Sequence, residues 1–253
     1  MMRIAILSDL HIGMHRQHLV QPMLDAIAAG QPEQLIIAGD LVQRARRPLF
    51  AEAKRILDQT GLPWLCVPGN HDIPLMNVPA RLFWPFDAYE TSVPGPREPV
   101  LDLQGTGRRI VGVNSTYPLR WRNGRITDNQ LARVEWLSDD DPIIVVQHHP
   151  ISLLPGETKE LMLNAERALA AYDAMGVEMI VSGHLHHFNI ATSASGMVQV
   201  HAGSALCDRP EDPPNEFALL DINAHEFQLT RMIATPDQSQ FRAQPEITLP
   251  RRR

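Results

Sequence analysis

The 253-residue chain carries 11 histidines, and seven of them stand beside Asp, Asn or Gly in short motifs. Asp9 and His11 lie in SDLHIG (8–13) and Asp40 in GDLVQ (39–43). Asn70 and His71 lie in GNHD (69–72), and His148 and His149 in HHP (148–150). His184 and His186 lie in GHLH (183–186), with His187 next. Imidazole nitrogens mixed with carboxylate and amide oxygens suit Mn, Fe, Zn or Co better than Ca or Mg, which prefer oxygen alone. Asp9, His11, Asp40, Asn70, His148, His184 and His186 are too many ligands for one ion. They fit two divalent ions that share a carboxylate. Such a pair can activate water and neutralise a phosphoryl group during in-line displacement.

The elements that must position these residues are short Ile- and Val-rich runs read as buried strands: 3–8, 34–39, 64–69, 109–114, 143–147 and 178–183. Helical spacing of apolar residues predicts helices over 17–29, 47–60, 127–137 and 158–174, the third capped by Thr127 and Asp128. Alternating strands and helices make an α/β sheet with helices outside. Each chemical motif follows a strand, and ligands in such sheets bind beyond the carboxyl ends of the strands. Asp9 and Asp40 lie 31 residues apart, Asp40 and Asn70 30, and His148 and His184 36, each one strand–helix–strand repeat. The motifs should therefore converge at one sheet edge. After residue 186 the pattern turns to antiparallel strands that form a second sheet or extend the first. Segment 91–108 reads as a surface excursion rich in Pro and Gly. The expected division is one domain over 1–235 and an extended or frayed tail over 236–253.

Composition narrows the classes. The chain is 44% hydrophobic and 21% charged, as ordered globular proteins are. It has no apolar run of the roughly 18 residues a membrane span needs and no signal-peptide core, so a cytoplasmic location without membrane partners is expected. A net charge of −6 argues against nucleic acid as the main partner. Cys66 and Cys207 read as reduced, packed residues rather than a disulfide.

Taken together and in order, the five motifs resemble those of the calcineurin-like metallophosphoesterases, over residues 3 to about 230. The resemblance implies a four-layer α/β/β/α sandwich of two mixed sheets with helices outside. It implies a dinuclear site in which Asp9, His11 and His186 hold one metal, Asn70, His148 and His184 the other, and Asp40 bridges. Mn or Fe are the metals it favours, divalent or of mixed valence. A metal-bridging hydroxide would attack phosphorus, and His71 would contact the phosphate or protonate the leaving oxygen. In the protein serine/threonine phosphatases the second motif is GDxxDR. Here Gln43 replaces the second Asp, and a neutral amide is no electrostatic substitute. GDLVQ and GSALCDRPEDPPNEFALLDI (203–222) resemble instead the bacterial class III cyclic nucleotide phosphodiesterases. GNHD argues against the lipid A pathway pyrophosphatases, which usually have Arg at the position of His71.

The expected activity is hydrolysis of a small phosphodiester, a cyclic nucleotide among the candidates. A phosphomonoesterase or broad phosphohydrolase is the alternative, followed by a metal-bound binding module without turnover. A nuclease usually needs an added cap domain, for which this chain has little room. The oligomeric state stays open, a homodimer included. His149 and His187 either support the ligands or are packed. His15 and His18 read as surface residues, His201 as a satisfied sheet residue, and Asp72 as a turn cap. Asn114 ends a strand on the same edge. RWRNGR (120–125), with Trp121 and Arg125, is either a site-mouth loop that receives phosphate or base, or a solvated turn. RLFWPF (81–86) either lines a substrate entrance or, as aromatic runs more often do, packs.

Overall fold

The computed structural model describes residues 2–138, 141–152, 161–223, 226–250 and 252. Among them run the strands β1 (Met2–Leu7), β2 (Gln34–Ile37), β3 (Trp64–Cys66), β4 (Val100–Leu103), β5 (Arg108–Gly112), β6 (Ile143–Val146) and β7 (Met179–His186). They continue as β8 (Asn189–Thr192), β9 (Val198–Gly203), β10 (Glu216–Ile222), β11 (Glu226–Ala234), β12 (Phe241–Ala243) and β13 (Ile247–Pro250). The helices are α1 (Val20–Gly30), α2 (Arg47–Asp58), α3 (Val78–Phe83), α4 (Asp87–Glu90), α5 (Asp128–Ser138) and α6 (Ala165–Ala174).

The strands form two mixed sheets. One has the order β12-β11-β10-β1-β2-β3, with β13 also on β11; the other is β4-β5-β6-β7-β9-β8. Period-2 alternation divides each buried strand between two cores. On β1, Ile4 and Ile6 face the core between the sheets, with Ile36, Ile144, Val146 and Val181. Ala5 and Leu7 face the helix layer, with Met23, Ile27, Phe50 and Ile56 from α1 and α2. On the far side, Val111, Val145 and Ile180 pack against Leu131, Val134, Ala168 and Tyr172 of α5 and α6. Three cores separate four layers, helix–sheet–sheet–helix. No helix among the described residues is long and apolar enough to cross a membrane.

The predicted helices are present with shifted ends. Thr127 caps α5 reciprocally: its Oγ accepts from the Gln130 N–H, and the Gln130 Oε1 accepts from the Thr127 N–H. The expected start of the last helix at 158–160 lies outside the described residues, and α6 begins at Ala165. Three expectations need correction. The 91–108 excursion contains β4, an antiparallel edge strand on β5. The frayed tail is instead β12 and β13, both antiparallel to β11. The motifs also do not share one sheet: β1–β3 belong to one and β5–β7 to the other.

One side chain ties the two ends of segment 74–120 together. Arg81 of α3, only 4% exposed, donates to the carbonyls of Pro74 and Pro118 at 2.8 and 2.7 Å and also to that of Arg120. Charge-assisted bonds of this kind are the stronger ones. Arg81→Met is expected to lower unfolding free energy by about 2–4 kcal/mol in urea titrations, because buried carbonyls lose their donor. An unchanged midpoint would mean that the carbonyls find other donors at no cost.

Candidate metal centre

The carboxyl ends of β1, β2 and β3 in one sheet meet those of β6 and β7 in the other. Loop-to-loop hydrogen bonds set the register: Asp9 N–H to Gly39 O at 3.0 Å, His11 N–H to Asp40 O at 3.0 Å, and Gly183 N–H to His148 O at 3.0 Å. Two motif glycines are there for close approach. A Cβ on Gly39, whose φ is +87°, would stand 2.5 Å from His148 Nδ1, and one on Gly183 would stand 1.9 Å from Ser8 Oγ. Five of the seven expected ligands, Asp9, His11, Asp40, His184 and His186, have φ between 48° and 72°. This left-handed region is uncommon for residues with a Cβ, although Asp and His enter it more readily than most. The strand ends turn sharply there and aim the side chains inward.

All seven side chains come together. Asp9 Oδ2 accepts from Ser8 Oγ at 2.6 Å and from the His184 N–H at 3.0 Å. Its Oδ1 has no hydrogen-bond donor although buried, and lies 3.1 Å from His186 Nε2 and 3.6 Å from His11 Nε2. Asp40 repeats the division. Its Oδ1 accepts from the His71 N–H at 2.8 Å. Its Oδ2 stands 3.6 Å from His11 Nε2 and 3.4 Å from His148 Nε2. Asn70 Oδ1 is 3.2 Å from His148 Nε2 and 3.1 Å from His184 Nδ1.

Two donor clusters result, one of Asp9, His11 and His186, the other of Asn70, His148 and His184, with Asp40 Oδ2 between them. Donors about 2.1 Å from a common transition metal sit about 3.0–3.4 Å apart; four of these separations fall in that range, and the two from His11 Nε2, at 3.6 Å, lie just above it. The second nitrogens fix the rings. His148 Nδ1 donates to Ala38 O at 2.8 Å, and His186 Nδ1 is bonded to the Asp212 carboxylate. Each leaves Nε2 as the ligand atom.

The electrostatics call for cations. Burial works against ionising Asp9, yet His186, His11 and His148 outweigh it and hold the acid well below the usual carboxylate range. Asp40 is likewise held low, by His148, His71 and His11 against the cost of burial. Burial would lower His186, but Asp9 and Asp212 push it up to about 12. His148 rises to about 9 against burial, mainly through Asp40. Buried carboxylates that take protons onto neighbouring imidazoles are a set that divalent cations satisfy by displacing those protons. The orphaned Asp9 Oδ1 and the facing imidazole nitrogens therefore fit a pair of metal ions.

The remaining residues sort by place. His71 is not in either cluster; its ring stacks edgewise on His11 at 4.8 Å and lines the cavity above the site. Its Nδ1 is 3.1 Å from the Gln43 carbonyl, so the backbone, not the Gln43 amide, orients it. Burial lowers its pKa; Asp40 counters, and His11 and Arg209 add to the lowering. Asp72 does more than cap a turn: its carboxylate accepts from Gly69, Val42 and Leu41 N–H groups and ties two motif loops together. His149 is buried with Nδ1 on Ser115 Oγ at 2.9 Å. Burial and His148 push it down to about 3, a neutral ring packed on the site. His187 is exposed and bonded to the Leu185 carbonyl. His201 is buried in β9 but is not satisfied, since neither ring nitrogen has a hydrogen-bond partner. Asn114 and Arg125 line a separate cavity. The 81–86 run is not packing throughout: Phe83 and Trp84 are 70% and 66% exposed.

Sequence reasoning missed Asp212, behind His186, and Arg44, Arg209 and Glu211 on the cavity wall. It also missed that Cys207, a free buried thiol, lies within 4.8 Å of ligand atoms of His11 and His186.

A two-sheet sandwich that gathers this donor set at its strand ends defines a metal-dependent phosphoric ester hydrolase. The chain matches the sequence model of the calcineurin-like phosphoesterases over residues 2–188. It belongs to that family, whose dimetal members imply two metal ions. It is 26% identical over 231 residues to a probable cyclic nucleotide phosphodiesterase of a Synechococcus species, covering 83% of this chain and 84% of that one. A probable cyclic nucleotide phosphodiesterase of Rhodococcus erythropolis is 27% identical over 194 residues, 72% of this chain and 60% of that one. Among solved structures, a dimetal phosphatase from Danio rerio superposes with a TM-score of 0.70 at 13% identity, over 98% of both chains. A purple acid phosphatase from yellow lupin superposes with 0.68 at 15% identity, over 98% of this chain and 53% of that one. At these identities the structures speak for the fold alone.

Proposed function

We propose that the protein is a phosphodiesterase that works with two metal ions on a small nucleotide-type phosphodiester. The observation that carries the reading is the pair of donor clusters joined by Asp40 Oδ2. The names of the two relatives support the diester and cyclic nucleotide class. Asp9, His11 and His186 would hold one ion, Asn70, His148 and His184 the other, and Asp40 both. Such ions, when bound, neutralise phosphoryl charge and make water a nucleophile near neutral pH. Mn or Fe are the metals we favour.

The chain's own groups do the rest. His71, with Nδ1 engaged by the Gln43 carbonyl, has Nε2 left for the substrate. Burial lowers its pKa in the free protein, and an anionic phosphodiester beside it raises its proton affinity. Nε2 takes up a proton from solvent as the anion binds and donates it to the leaving oxygen as the P–O bond breaks. The cavity, about 980 Å³ and lined by Arg44, Arg122 and Arg209, draws in the anionic ester.

A comparison of kcat/KM for bis(p-nitrophenyl) phosphate and p-nitrophenyl phosphate in Mn-supplemented buffer tests the reading. A diester preference is expected. A monoester preference would replace it with a phosphomonoesterase. Asp212→Asn is a finer probe. It keeps an acceptor for His186 Nδ1 but removes the charge, and metal affinity by equilibrium dialysis should fall about 10–100-fold. Unchanged affinity would mean that His186 needs no carboxylate behind it.

A further inference from the structure

A metal pair reads only the phosphodiester group, and the cavity above it is far larger than that group. One wall is Trp121, 51% exposed and facing the same space as Asn70, His71 and His184. Exposure alone does not mark it, since Trp84 and Trp136 are more exposed; its place on the wall of the cavity over the metal centre does. The ring is also held stiffly. The Arg81 guanidinium lies over it, with Cζ 5.1 Å from the ring centroid. Arg81 in turn donates to the carbonyls of Pro118 and Arg120, on the stretch leading directly into Trp121, and to Pro74 across the gap. Buried cation, fixed loop and open indole make a pre-ordered stacking surface, so little ordering entropy is lost when a flat group settles on it. The charges beside it suit an anion: Arg44, Arg122 and Arg209 line the cavity against one acid outside the ligand set, Glu211.

We infer that Trp121, backed by Arg81, is the platform on which the base of a nucleoside phosphodiester stacks while its phosphate sits at the metal centre. This rests on the phosphodiesterase reading and makes Trp121 a specificity-determining residue. Base–aromatic stacking tolerates any base because every base has a π face. The platform therefore selects nucleosides over aliphatic alcohols without choosing strongly among bases.

The test uses two diesters with one leaving group, thymidine 5′-(p-nitrophenyl phosphate) and methyl p-nitrophenyl phosphate, and the 253-residue chain loaded with Mn. Wild type should prefer the nucleoside ester. Trp121→Ala should lower the ratio of the two kcat/KM values about tenfold, mostly through KM, the scale of one stacked base. Trp121→Phe should keep most of the ratio. A ratio that Trp121→Ala leaves unchanged would overturn the inference. Calorimetric binding of adenosine 5′-monophosphate and ribose 5-phosphate separates it from the activity. If neither diester turns over, yet wild type prefers the adenosine compound and Trp121→Ala does not, the platform stands and the phosphodiesterase reading falls. Equal affinity for both in wild type would overturn the platform.

Discussion

Asp40→Asn should strip the protein of bound metal and of turnover in the same step. The amide can still accept from the His71 N–H, as Asp40 Oδ1 does at 2.8 Å, so the loop has no reason to move. What disappears is the charge on the one oxygen that faces both His11 and His148. A carboxylate shared between two dications is worth more than a partner that merely orients a ligand, itself about 10–100-fold. Metal analysis of the purified variant should find fewer than two ions per chain. Its kcat/KM on bis(p-nitrophenyl) phosphate should fall well over about 100-fold. Full metal content with retained turnover would refute the bridging role.

His71→Asn should do the opposite to the metals and nearly the same to the rate. His71 reaches Asp40 through its backbone N–H, which Asn keeps, and its ring belongs to neither donor cluster. Both ions should stay. Loss of a positioned proton donor should lower kcat about 10²–10⁴-fold. The loss should be larger for an alkyl leaving group than for p-nitrophenolate, which departs without a proton. Equal losses on both leaving groups would assign His71 to phosphate binding rather than proton transfer.

The strands that position the site were legible because each is a short Ile- and Val-rich run ended by a turn residue, and each chemical motif sits at such an end. What the runs do not carry is which sheet they join. Strands β2 and β6 look alike in composition, QLII against IIVV, yet they lie in different sheets. β4 escaped because it is four residues long with only Leu103 buried, and its Leu-Asp-Leu alternation is too short to stand out beside the prolines and glycines around it. β12 and β13 escaped because three or four residues among prolines look like a tail. Asp212 sits in a loop of prolines and acids, and only tertiary packing brings it to His186, 26 residues away. The Arg81 contacts span up to 39 residues and end on carbonyls, which no side-chain pattern records.

The left-handed backbone at five of the seven site residues bears on how such a protein evolves. Each of those positions costs about 1 kcal/mol or more that glycine would not incur. A change to glycine at His11 or His186 relaxes that backbone but empties a buried site and takes from Asp9 an imidazole that holds it ionised. Relief of strain at one position is thus outweighed by the charge left unpaired, and the buried pairs hold the strained backbone in place along with the chemistry. A lineage released from selection for turnover could shed these residues without loss of stability only by replacing the paired groups together, because changes within one buried network do not add independently.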